Sequence, residues 1–219
     1  MAPAVWDSEL LGVVLNSLYV SFLPTLVAVA LGTPLALWLY LRGGRAAVVL
    51  EALFNGLVAM PTVLLGLLLY LLLSRSGPLG FLNLLYTLDA VVLGHSLLVL
   101  PLYLSFALSA FRSADPRLVE VFEIFALGRA KRLVILVSET WRGLLAAGVA
   151  AFGRALGELG VALVLGGDIR YRTRVLTTAI AHETMLGNWD AAVTLGVVLL
   201  SVSFAVSASV YALGYRFRG

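Results

Sequence analysis

Cysteine is absent from the 219 residues, and charged side chains make up only 12% of them. Without cysteine there is no disulfide framework, no Cys-ligated zinc and no iron–sulfur cluster. Two histidines, His95 and His182, are too few for a multi-histidine metal site. Soluble domains carry about 25% Asp, Glu, Lys and Arg, so half the usual charge is missing. The net charge of +3 is too small and too scattered for a nucleic-acid surface. What fills the chain instead is apolar, 61% of its residues, against roughly 45–50% in soluble proteins. A soluble domain of this size cannot hide so much apolar surface, and the composition indicates an integral membrane protein.

Uncharged apolar runs of about 18 residues or more can cross a bilayer as helices. Four such runs lie between Glu9 and Arg42, Glu51 and Arg75, Asp89 and Arg112, and Asp190 and Arg216. A fifth, Gly143 to Gly167, is apolar apart from Arg154 and Glu158. The expected fold is all-α and polytopic, with about five spans near 11–41, 50–74, 89–111, 143–166 and 191–214. Together they form one transmembrane domain, 1–219. Pro24 and Pro34 are expected to bend or end the first span. No Lys or Arg precedes that long first run, which argues against a cleavable signal peptide, and no appended cytoplasmic domain is expected after Tyr211.

Orientation follows the basic residues of the loops. Arg42, Arg45, Arg112, Arg117, Arg129, Lys131, Arg132, Arg216 and Arg218 fall on one side. Arg75, Arg170, Arg172 and Arg174 fall on the other. The imbalance puts the carboxyl end in the cytoplasm and the amino end outside, with the 170–174 cluster counting against it. No internal repeat of the inverted-transporter kind is evident, so a pathway would be lined by two copies of the chain.

Two segments stand out against this apolar background. In the cytoplasmic stretch 112–141, Asp115 can cap a helix with Pro116 at its first position. Leu118, Val119, Phe122, Phe125 and Ala126 then recur at helical spacing before Gly128. Such a short apolar-faced helix either rests on lipid headgroups or docks in the groove of a soluble partner. In the interrupted span, Arg154 and Glu158 lie four residues apart on one helix face. Charge at membrane depth costs roughly 2.5–3.5 kcal/mol per residue on insertion scales, so the two are either an internal packing pair or pathway-lining groups. Gly153, Gly157 and Gly160 allow close helix approach at the same level.

Beyond that span, Thr173, Thr177 and Thr178 supply hydroxyls beside the basic cluster. They suit an oxyanion vestibule, although composition alone favours a solvated loop. Asn55, Gly56, Met60-Pro61-Thr62 and Gly66 mark a kink or break in the second span. His95 reads as a hydrogen-bonded interior histidine before a proton relay. Gly43-Gly44 lacks the lysine and strand context of a phosphate loop, so any ATP must be hydrolysed elsewhere.

The segment Gly153-Arg154-Ala155-Leu156-Gly157-Glu158-Leu159-Gly160 resembles a stretch of the permease subunits of ATP-binding-cassette importers, in the molybdate, tungstate and sulfate branch. The resemblance spans about Val14 to Tyr211. Gly166-Gly167-Asp168-Ile169, Thr173 to Ile180, Glu183-Thr184 and Gly187-Asn188-Trp189 are similar to the tungstate-type permeases in particular, where molybdate permeases usually carry proline at the place of Thr177. Pro61 and the run Ser74 to Gly80 also look like this group. One departure concerns the cytoplasmic signature E-A-A-x-x-x-G. Six residues before Gly128 stands Phe122, not glutamate, and Ser138-Glu139-Thr140-Trp141 replaces the later I-x-L-P.

The resemblance implies a multi-pass cell-membrane permease that is not itself an enzyme and binds no cofactor. Two copies would form the pathway. Cytoplasmic ATPase subunits would dock on a helix at about 115–131 through Glu120, Phe122, Glu123, Gly128, Arg129 and Lys131. An extracytoplasmic binding protein would deliver the anion, and Thr62, Arg154, Glu158, Thr177 and Thr178 are the candidates for the pathway. Tungstate is the expected cargo, with molybdate or sulfate as the alternative. A proton-coupled secondary carrier or small membrane subunit, using His95 and the Arg154–Glu158 pair, is the alternative of another class.

Overall fold

A computed structural model describes residues 3–115, 117, 122, 124–125 and 128–216. The described residues form helices joined by short turns. Helix α1 runs Pro3–Arg42, α2 Gly44–Val58, α3 Thr62–Leu73 and α4 Leu88–Arg112. Helix α5 runs Arg129–Leu156, α6 Gly160–Gly166, α7 Leu176–Met185 and α8 Trp189–Arg216. A single 3₁₀ turn, Gly80–Leu82, sits between α3 and α4. Four helices are long and apolar enough to cross a membrane, and α2 with α3, bent by 96° at the break between them, supplies a fifth.

Neither proline ends the first helix. It continues unbroken through both Pro24 and Pro34. Proline at position 24 has no N–H for the carbonyl of Val20, one turn earlier. Nδ1 of His95, on α4, replaces it at 2.7 Å from that oxygen. A carbonyl only accepts, so Nδ1 carries the proton and the ring serves as an interhelical splint. This fits the interior-histidine reading. Further along α1, Ser17, Ser21 and Thr25 each donate to a carbonyl one turn back, which keeps a buried row of hydroxyls satisfied.

Helix α4 is the centre of the packing. Its most apolar 18-residue window is 67% buried, against 17% for that of α5 and 11% for that of α8. Val99, Tyr103, Ala107 and Phe111 of α4 meet Ala28 and Ala36 of α1 and Leu136, Ala147 and Ala151 of α5 in one core. A second core joins α3, α4 and α6 through Leu69, Leu73, Val91, Val161 and Leu165.

The span expected at 143–166 is divided differently. Helix α5 starts earlier, at Arg129, and stops at Leu156; after a break at 157–159, α6 takes over. Gly167, at φ 73, caps the end of α6. Gly128, expected to end a helix, opens α5 as its N-cap.

Candidate functional site

Two breaks in membrane elements lie side by side. The first separates α2 from α3 at Ala59-Met60-Pro61, where proline stands as N-cap with Thr62 next. The second separates α5 from α6 at Gly157-Glu158-Leu159. They meet because α3 packs along α6: a Cβ built on Gly160 would sit 2.8 Å from the Thr62 hydroxyl, and one on Gly66 would sit 3.1 Å from Cβ of Val164. Only glycine lets the starts of the two helices approach this closely.

Glu158 is the hub of this junction and is 3% exposed. One carboxylate oxygen accepts from Nη1 of Arg154 at 2.5 Å. The other accepts from the Val161 amide at 3.2 Å, satisfying an unpaired N–H in the first turn of α6. The Thr62 side chain lies beside the same carboxylate. Its backbone carbonyl accepts from Thr177 at 2.8 Å, which brings α7 to the same point. Thr62, Arg154, Glu158 and Thr177 therefore converge.

Thr178, the fifth pathway candidate, does not join them. It is buried and its hydroxyl closes the first turn of α7, accepting from the Val175 amide and lying 3.0 Å from the Val175 carbonyl. The pair at the centre is unequal. Arg154 is 38% exposed, and Nη1 is the part of its guanidinium bonded among the described residues. The glutamate is locked in place while much of the arginine stays presented.

The 167–175 loop is not loosely solvated. Asn16 donates to the carbonyls of Arg172 and Arg174, Ser17 accepts from the Leu176 amide at 2.8 Å, and Thr173 donates to the Gly166 carbonyl at 2.6 Å. Glu9 holds Arg170 in a two-pronged pair that raises the guanidinium above its ordinary value. Arg174 makes a second two-pronged pair with Asp168, at 3.1 and 3.0 Å. Two of the three expected vestibule cations, Arg170 and Arg174, are thus paired. Asn16, Ser17 and Glu9 escaped the sequence reading. The hydroxyls at 17, 21 and 25, spaced four apart inside an apolar run, were the one available signal.

At the opposite end, Glu51 and Arg112 pair through two 2.6 Å bonds between α2 and α4, and Ser105 donates to Asn55 at 2.6 Å. In the segment expected to dock, the Asp115 carboxylate accepts from the Arg117 amide at 2.9 Å, the N-cap bond its position calls for. Glu120 and Glu123 lie outside the described residues. Phe122 is fully buried beneath the guanidinium of Arg132, 5.9 Å from its ring centre, so it anchors the segment to the helices and leaves Ile124 and Phe125 outward. Gly128 and Lys131 are exposed, and Arg129 is the first residue of α5.

The chain is 32% identical over 208 residues to a tungstate uptake system permease protein of Peptoclostridium acidaminophilum, covering 95% of this chain and 91% of that protein. To a probable anion ABC transporter permease protein of Haloferax volcanii it is 37% identical over 209 residues, covering 92% and 88%. It belongs to the permease family of ABC anion importers. The permease is accordingly a multi-pass membrane transport subunit, and an importer of this class works with an ATPase and a binding protein. It is also 29% identical to a molybdenum transport system permease protein of Azotobacter vinelandii, over 88% of this chain and 91% of that one. Among solved structures, the fold is similar to that of the MetNI methionine ABC transporter in inward-facing conformations. The TM-score is 0.81 at 15% identity, over 97% of both chains. No family model matches the chain.

Proposed function

We propose that the permease imports a tetrahedral oxyanion, tungstate in the first place, along a pathway that runs past the junction of the two helix breaks. The observation that carries this reading is the unequal pair. Glu158 is buried and fixed by Arg154 and Val161, while the Arg154 guanidinium remains partly exposed. A guanidinium with free N–H groups suits the planar, forked recognition of oxyanions. Glu158 keeps it from binding the ion too tightly, as conduction through a site requires release as well as entry. The Thr62 and Thr177 hydroxyls lie at the same point, and the likeness to a tungstate permease supports the choice of cargo.

Two copies pair to enclose the pathway, each with its amino end outside and its carboxyl end in the cytoplasm. The segment 115–131 docks on an ATPase subunit that binds ATP and Mg, and the permease catalyses no covalent step. An external binding protein delivers the ion. ATP binding shifts the pair from inward-facing to outward-facing through differential contacts, and loss of the hydrolysis products restores it.

The test is ATP-driven uptake into vesicles holding the permease, its ATPase and its binding protein. Tungstate uptake that molybdate and sulfate compete against only weakly is the expected result; equal uptake of sulfate moves the cargo to the wider branch, and no uptake of any of the three overturns the reading. Docking is tested by Gly128→Trp. A side chain there meets nothing within 4 Å, so folding is spared, and co-purification of the ATPase should be lost. Retained co-purification places docking elsewhere.

A further inference from the structure

The run Ser74 to Gly80 and the turn that follows it enclose a cavity that the pathway above does not use. Its volume is about 630 Å³, within the usual range for small-molecule pockets. The polar part of its lining is Tyr70, Ser74, Arg75, Ser76, Asn83 and Tyr86, with no acidic residue in the wall. The wall is rigid. Leu79 donates to the Leu72 carbonyl at 2.9 Å, Gly80 to Gly77 at 3.1 Å and Tyr86 to Leu165 at 2.8 Å. A Cβ on Gly77 or Gly80 would fall 2.2 or 2.3 Å from a carbonyl oxygen. Asn83 and Tyr86 are held at φ 49 and 62, a left-handed conformation that costs non-glycine residues energy and persists only when the surroundings enforce it.

Polar groups line this cavity: a guanidinium, two serine hydroxyls 3.4 Å apart, of which Ser74 donates to the Leu71 carbonyl, the Asn83 amide, which spends one N–H on the Phe81 carbonyl, and two phenols that meet edge-on. Arg75 has no ion pair or hydrogen bond among the described residues, whereas Arg170 and Arg174 on the same face are consumed by Glu9 and Asp168. The Tyr86–Leu165 bond fastens the cavity to the end of α6, and Gly160 at the start of α6 touches Thr62. The cavity and the Arg154 junction thus lie at opposite ends of one seven-residue helix, roughly 10 Å apart along its axis.

We propose that this cavity is a second anion site, with Arg75 as its main ligand and Ser76 and Asn83 as supporting donors, taking a tetrahedral oxyanion group. That group is either a free ion of the tungstate class, staged one short helix away from the pathway, or the phosphate of a lipid headgroup. The staging role rests on the orientation and transport reading above; the binding itself does not.

The experiment uses the full-length permease and its Arg75→Gln variant. Arg75 makes no structural bond among the described residues, so the variant should fold; Ser76→Ala provides a second, independent lesion. In phosphatidylcholine nanodiscs, calorimetric titration with tungstate should give a Kd at least about tenfold weaker for Arg75→Gln than for wild type. In nanodiscs containing phosphatidylglycerol, native mass spectrometry counts the anionic lipids retained. Arg75-dependent retention without tungstate binding assigns the site to lipid phosphate. Equal tungstate Kd values together with equal lipid retention in all the proteins overturn the proposal. Absence of ATP-driven uptake in the full complex would sink the transport reading and leave these binding differences standing.

Discussion

At the break between α5 and α6, arginine meets carboxylate in a pair whose burial is divided unequally, 38% exposed for Arg154 and 3% for Glu158. In the 167–175 loop, Arg174 is 12% exposed, between Glu9 at 9% and Asp168 at 11%. The second arrangement is closed. Arg174 and its two carboxylates are covered by one another, and the result is a cross-link between the start of α1 and the loop before α7. In the first, the carboxylate is used up by a helix terminus and one prong of the arginine, leaving a cation that is positioned but not consumed. Similar residues therefore make a fastener in one place and a ligand-ready group in the other. The difference lies in how many neighbours share the arginine.

The largest expected effect comes from removing the hub. Glu158→Ala strips the partner from Arg154 and from the Val161 amide at once. Breaking a buried pair costs about 3–5 kcal/mol, and the partial exposure of Arg154 puts this case near 3 kcal/mol. Thermal unfolding of the purified permease should show it directly, along with loss of uptake. An unchanged melting temperature would mean that Glu158 does not hold the junction together, and the contrast with the loop would collapse.

A smaller and more selective effect is expected from Arg154→Lys. The ammonium still neutralises Glu158, so stability should change by less than about 1 kcal/mol. The fork that reads an oxyanion is lost, and uptake should fall about tenfold, equivalent to roughly 1.4 kcal/mol. Normal uptake together with a lowered melting temperature would recast Arg154 as a second fastener.

The parts of this comparison differ in how far they can be read from sequence. Arg154 and Glu158 are visible because charge is so scarce within the spans, and Met60-Pro61 announces the facing break. Thr177 and Thr178 are adjacent and chemically alike, yet one bonds the Glu158 carbonyl and the other caps α7. Their fates depend on where α7 starts, and propensity does not define that to one residue. The passage of α1 through Pro24 depends on a histidine 75 residues from Val20, and the fastening of the loop depends on Asn16 and Ser17 at separations above 150. Contacts of that range leave no local pattern. The same distance explains why the basic cluster at 170–174 looked like an open vestibule: Glu9, which closes it, lies at the far end of the sequence.

The smallest effect is expected at the fastener itself. Arg170 is 54% exposed on its side chain, and Glu9 has a second cation, Arg174, at 3.5 Å. Exposed ion pairs contribute little because water and salt screen them and long side chains lose freedom in forming them. Since the pair raises Arg170 above its ordinary value, its contribution is fully present below that value and is lost only as pH rises beyond it. No dependence on pH from this group is therefore expected near neutrality. Arg170→Gln should leave uptake within about twofold of wild type and the melting temperature unchanged across neutral pH. A loss of uptake as deep as that of Arg154→Lys would mean that the loop cations handle the anion as well, and that the division between fastener and ligand drawn from their burial is wrong.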